Sequence, residues 1–209
     1  MRRIVVLALL LTTLPLSNTA QADQDALTVL NSLEVKGRAA KTGYARSQFP
    51  HWSDPDRNGC DARNDTLKRD LTQIIFKSGT RDCKVLTGQL LDPFSDKIIS
   101  FSSAKSMIDI DHVVALSNAW QTGAAYFDKT KRAAIANDPL NLIAVDAKLN
   151  RQKGDADAAT WLPPNKAFRC EYVARQIAVK AKYLLWVTAA EKDAKIKILE
   201  KCEGQKLPN

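Results

Sequence analysis

The residues with most chemical potential in this chain fall between positions 109 and 164. Asp111 and His112 close an apolar run, Asn141 precedes a second one, and Asn150 follows on a short polar stretch beside Arg151 and Lys153. An imidazole titrates near neutrality and can take a proton from water. A carboxylate and an amide oxygen suit a hard divalent cation that keeps several of its own waters, as Mg²⁺ does. Such a cation stabilises the charge that gathers on a pentavalent phosphate and on its departing oxygen. These residue types together suit the attack of water on a phosphodiester.

The elements that must position them read as follows. Residues 108–116 have the pattern of a strand and 142–145 that of a second strand, and Asp146 is placed to cap a helix running to about residue 152. On a regular strand Asp111 and His112 face opposite ways. They can converge on one substrate only where the strand ends or bulges, or where one side chain reaches round its edge. Asn150 lies four residues after Asp146, on the same side of the helix. The inward face would carry Ala147 and Asn150, and Arg151 and Lys153 would flank the substrate. Asp109 shares the face of Asp111 and would either tune the site or be solvated.

Outside this core, Leu27, Leu30, Leu33 and Val35 recur near helical spacing, predicting a helix over 25–40 before Gly43. A second helix is expected after Asn64 or Asp65 as cap, with Leu67, Leu71, Ile74 and Ile75 on its apolar side and Gly79 beyond its end. Residues 83–101 have the pattern of a hairpin turning at DPFSD. Short helices are expected at 117–126 and 128–136. After Pro163 and Pro164 the chain reads as helical, with a fresh start at Thr188, where Thr188 and Glu191 have capping-box spacing. Trp120, Trp161 and Trp186 are expected in the core. His51, in a Pro-containing loop, is expected at the surface. The loop from Asp54 to Asp65 alternates acidic residues like a calcium loop, but lacks the closing Glu.

The stretches DHVVALSNAW, NDPLNLIAV, NRQKGD and WLPP together resemble the HNH nucleases, also called ββα-metal or His-Me finger nucleases. More closely, they resemble secreted HNH endonucleases related to the C-terminal domain of GmrSD restriction enzymes. CDARNDTLKRDL before the core and RCEYVARQIAVKAKYLLWV after it extend the likeness over residues 52–199. The resemblance implies an α+β fold, mostly helical, around a ββα-metal core at about 108–154, with an additional β-hairpin. It implies a metal-dependent endonuclease with nucleic acid as its partner, DNA before RNA, and little sequence specificity.

It also implies roles. His112 matches the general base, Asp111 the metal carboxylate, and Asn150 the second metal ligand, where many relatives carry His. Asn141 matches the residue that braces the loop between the two strands, and that distorted loop would resolve the strand-face problem. Asp61, Arg63 and Asn64 would lie near the cleft, with Arg63 clamping a phosphate. Asn in place of His favours Mg²⁺ or Mn²⁺ over zinc. Two other readings stay open: a catalytically silent polyanion-binding module, and a phosphodiesterase acting on small nucleotides.

Composition bounds the protein further. Of the 209 residues, 31 are Lys or Arg and 23 Asp or Glu, a formal net charge of +8. Residues 1–22 read as a signal peptide: Arg2 and Arg3, a short apolar run, then Ala20-Gln21-Ala22 as a cleavage site. Residues 23–209 then form a single domain, secreted or periplasmic, with no membrane association after cleavage. Removing Arg2 and Arg3 leaves +6, a balance that suits a polyanion partner or plain solubility. Lys180, Lys182, Lys192, Lys195 and Lys197 are expected to add to a basic face. Four cysteines allow three pairings. Cys60 and Cys83 flank one helix and Cys170 and Cys202 a helical pair, so sequential pairing is expected. No Cys-x-x-Cys pair supports a thiolate zinc site.

Overall fold

The computed structural model describes residues 24–208, so the leader read at 1–22 lies outside the described residues. In chain order the elements are α1 (Ala26–Ser32), α2 (Ala62–Asp70), β1 (Thr72–Phe76), β2 (Val85–Asp92), β3 (Lys97–Ser102), β4 (Ile108–His112) and α3 (Leu116–Gln121). Then come α4 (Lys129–Asn137), β5 (Leu142–Asp146), α5 (Ala147–Lys153), α6 (Arg169–Tyr183) and α7 (Ala189–Leu199). The fold is α+β: helices surround two small antiparallel sheets, β1-β2-β3 and β4-β5. No helix among the described residues is long and apolar enough to cross a membrane.

Two apolar cores hold this arrangement. The larger gathers Leu30, Phe49, Phe94, Trp120, Ile135, Tyr172 and Ile177 from the helices and loops. The smaller gathers Leu67 of α2, Leu90, Ile99 and Phe101 of the three-stranded sheet, and Ile108, Ile110, Leu142 and Ala144 of the β4–β5 ribbon. The ribbon is therefore wedged between the two. Trp120 is buried, while Trp161 and Trp186 are partly covered.

Several expectations change. The helix expected from Asn64 through Ile75 stops at Asp70, and its cap is Asp61, whose side chain accepts from the Asn64 N–H at 2.7 Å. Thr72, Ile74 and Ile75 are β-branched, and they pair with β2 instead of prolonging the helix. Gly88 makes this possible. A Cβ there would lie 2.8 Å from Leu71 Cδ2 and 3.2 Å from Thr72 O. The first helix is also shorter than 25–40. After Leu33 the chain runs extended, and Val35 forms a bridge with Val187.

The caps of α5 and α7 lie where the sequence points: Asp146 accepts from Leu149 N at 2.8 Å and Thr188 Oγ1 from Glu191 N at 3.1 Å. Glu191, however, does not return to the cap. Its carboxylate is buried and takes Lys180 and Lys195, each at 2.7 Å. Lys180 and Lys195 are thus interior groups and not part of a basic face. Cys60–Cys83 and Cys170–Cys202 are the disulfides.

Candidate active site

The site grows out of the β4–β5 ribbon and the helix that follows it. Along β4 the side chains alternate. Ile108 and Ile110 enter the smaller core, whereas Asp109 and Asp111 turn toward α5. On α5, Asn150 and Lys153 are three residues apart and share a face. Two polar pairs join strand to helix. Asn150 Nδ2 donates to Asp109 Oδ2 at 3.1 Å, and Lys153 Nζ donates to Asp111 Oδ1 at 2.9 Å and to His112 O at 2.8 Å.

Lys153 is 1 % exposed and Asp111 5 %, so this ion pair is internal. The expectation that Lys153 flanks the substrate is corrected: its ammonium turns inward, while Arg151 on the other face of α5 is exposed. Burial pushes the Asp111 carboxyl up, and Lys153 pulls it back. The second carboxylate oxygen, Oδ2, is buried and has no hydrogen-bond partner.

His112, the last residue of β4, leaves the strand on the other side. Its Nε2 lies 2.9 Å from Ala136 O at the end of α4. A carbonyl only accepts, so Nε2 carries the proton and Nδ1 the lone pair. Nδ1 has no hydrogen-bond partner among the described residues. Burial lowers the imidazole pKa to about 3, so the ring is neutral. The Trp52 indole covers it, with ring centroids 5.9 Å apart and planes 31° from parallel. His51 meets Trp52 edge-on, with ring centroids 5.2 Å apart and planes at 77°, and its Nδ1 lies on Phe49 O.

Asn141 sits at the turn into β5 and is fully buried. Its backbone O accepts from Val113 N at 2.8 Å, and its Oδ1 accepts from Val114 N at 2.8 Å, in the manner of one more ladder carbonyl. Its Nδ2 donates to Ile135 O at 3.1 Å. The amide therefore ties together the exit of β4, the end of α4 and the start of β5. Arg63 lies in the first turn of α2, half-buried, with no hydrogen bond or ion pair among the described residues.

The structure thus groups Asp109, Asp111, Asn150 and Lys153 on one side of β4 and His112 on the other, with Asn150 on Asp109 and not on Asp111. Sequence reasoning passed over two contributors. Trp52 is far away in the chain, and Asn137, whose amide holds Pro50 O and Ser53 N, looks like any helix-end amide. Only the Pro-and-Gly-rich loop around Trp52 hinted that the chain there takes an unusual path.

This is an α+β domain built on a strand–strand–helix unit with a histidine at the end of its first strand. The chain belongs to the family described as GmrSD restriction endonucleases, C-terminal domain, whose model matches residues 61–198. A protein of Arthroderma benhamiae, described as an uncharacterized secreted protein, is 37% identical over 191 residues, covering 90% of this chain and 87% of that one. No solved structure matches.

Proposed function

We propose that this protein is an exported, metal-dependent endonuclease that hydrolyses phosphodiester bonds of DNA with little sequence specificity. One observation carries the reading: at the end of the first strand of a strand–strand–helix unit, His112, buried beneath Trp52, is held through Nε2 as a neutral imidazole with its Nδ1 lone pair unengaged. Membership in a restriction-endonuclease domain family supports nucleic acid as substrate. Two disulfides and the secreted relative support export.

Water beside the scissile phosphate gives its proton to His112 Nδ1. Ala136 O, fixed in α4, keeps the tautomer correct during that transfer. A phosphate dianion-like transition state next to the ring would raise its pKa from about 3 toward a useful range, as any nearby anion does for an imidazolium. Lys153 holds the Asp111 carboxylate and the His112 carbonyl together, so it orients the pair from inside the protein. Arg151, exposed on α5, contacts the substrate strand through phosphate, which carries no base information.

The donor set fits one hard cation. Asp111 offers the unpartnered Oδ2, and Asn150 offers Oδ1, since its Nδ2 is engaged by Asp109. Both are oxygens, as Mg²⁺ or Mn²⁺ requires. When bound there, such an ion supplies electrostatic stabilisation of the transferring phosphoryl group. Asp111 and Asn150 would supply two ligands to such an ion, which takes its others from water and substrate.

Plasmid nicking by the purified protein with Mg²⁺, with Mn²⁺ and with EDTA tests the reading. Cleavage is expected with either ion and not with EDTA, and His112→Ala is expected to lose it while retaining plasmid binding. Nicking by His112→Ala at the normal rate would remove the base assignment. Binding without cleavage in every metal would leave a polyanion-binding module.

A further inference from the structure

We propose that the segment from Arg46 to Trp52, which precedes the family match, forms a nucleotide-binding subsite: Arg46 takes a phosphate of the substrate strand and Trp52 stacks on an unpaired base next to the scissile bond. This rests on the nuclease reading and narrows the substrate to strands with unpaired bases at the site.

Trp52 is half-exposed, and its indole adjoins the His112 ring. Its backbone has φ of 62°, a left-handed conformation that is costly for a bulky residue and persists only where the surroundings impose it. Those surroundings are visible. Asn137, buried at the end of α4, donates from Nδ2 to Pro50 O at 2.7 Å and accepts on Oδ1 from Ser53 N at 2.9 Å. One amide thus clasps the chain on both sides of His51 and Trp52. The preceding residue, Ala136, anchors the His112 ring. Two consecutive residues of α4 therefore set the indole and the imidazole relative to each other. The covered part of the indole packs against the smaller core, so its exposed part is held in place beside His112.

Arg46 opens the short 3₁₀ turn Arg46–Gln48, which Phe49 ties into the larger core. Its guanidinium is exposed and makes no hydrogen bond or ion pair among the described residues. A free planar cation on the segment that carries Trp52 is suited to a phosphate oxygen. An aromatic face beside it is suited to a base of any identity, because stacking does not read sequence. A base in a duplex is covered on both faces by its neighbours and cannot reach Trp52 without unstacking.

The test is equilibrium binding in EDTA, so that turnover plays no part. Fluorescence anisotropy would compare a labelled oligothymidylate, an abasic strand of equal length and charge, and a duplex of the same length, using the whole mature chain. The intact single strand is expected to bind at least about tenfold more tightly than the abasic strand, given the usual contribution of one base–aromatic stack. Trp52→Leu, which keeps apolar bulk but loses the π-face, is expected to abolish that preference, and Trp52→Phe to restore most of it. Arg46→Ala is expected to weaken the intact and abasic strands alike and to lower the salt slope by about 0.7, the value for one single-strand phosphate contact.

Equal affinity of the wild type for intact and abasic strands would overturn the stacking role without any variant. An unchanged salt slope in Arg46→Ala would overturn the phosphate role. Retained base preference with no cleavage in Mg²⁺ would sink the endonuclease reading and still support this subsite.

Discussion

At the residue scale, the site turns on who partners whom. Asn141 satisfies two backbone groups that its loss would strand inside the protein. Each unsatisfied buried group costs about 1–3 kcal/mol, so Asn141→Ala is expected to lose about 2–6 kcal/mol, read from urea denaturation. Lys153 and Arg151 are two residues apart and should behave oppositely. Lys153→Met leaves Asp111 as a buried, unpaired carboxylate, an expected loss of about 3–5 kcal/mol in stability. Arg151→Ala, on the exposed side of the same helix, should change stability by less than about 0.5 kcal/mol. It should weaken plasmid binding and flatten its salt dependence. Equal stabilities for the two variants would show that the inward ammonium is not the partner of Asp111. The residue types at 111, 112, 141, 150 and 153 were legible in the sequence. The partner of Asn150, and the inward turn of Lys153, were not, because both depend on the rotation of α5 against β4.

At the element scale, α6 and α7 meet over a charge cluster with more cations than anions. Glu191, 1 % exposed, serves both Lys180 and Lys195. Burial by itself pushes the Glu191 carboxyl up, but the two ammonium groups overcome this and draw it down to about 2. Burial lowers the Lys180 ammonium to about 8. The signs follow by linkage. A depressed carboxyl contributes stability that is complete above the unfolded value of 4.5 and is lost as pH falls toward 2. A depressed ammonium costs stability when charged, and that cost disappears as pH rises from about 8 toward 10.5.

Glu191→Gln, which leaves two buried cations unpaired, is therefore expected to lose about 3–5 kcal/mol at neutral pH and to lose part of the acid limb of the stability profile. Lys180→Met, which leaves a one-to-one pair of Glu191 and Lys195, should be near neutral. Thermal melts from pH 3 to pH 9 separate the two. The sequence shows the start of α7 at Thr188. It misleads on Glu191, because a carboxylate with capping-box spacing is free to choose a stronger partner once α6 packs alongside.

At the scale of the whole molecule, two disulfides bind the periphery to the two cores. Cys60–Cys83 closes a separation of 23 residues around α2 and β1, and Cys170–Cys202 one of 32 residues around α6 and α7. Restricting the unfolded chain over loops of this size contributes about 3–4 kcal/mol each. Replacing Cys60 and Cys83 by Ser is expected to lower the melting temperature by an amount within reach of calorimetry. It should also lower affinity for single-stranded DNA, since Cys60 terminates the loop that presents Trp52. Replacing Cys170 and Cys202 should cost similar stability without that loss of affinity, and equal effects on binding would detach the loop from the disulfide. Sequential pairing was readable because each pair brackets a local unit of structure.

Local sequence sufficed for what is short-range or compositional: the hairpin, the caps at Asp146 and Thr188, the disulfide pairing, and the positions of the Asp, His and Asn residues that mark the ribbon and its helix. Each follows from period, capping chemistry or residue type within a few positions. It missed the switch from helix to strand after Asp70, because apolar β-branched residues suit either element until a neighbouring strand offers hydrogen bonds. That Trp52 covers His112, that Asn137 holds the loop around Trp52, and that Lys153 belongs to the interior are outcomes of three-dimensional packing. These contacts join residues tens of positions apart, and they are set by strand register and helix phase, which no local pattern encodes.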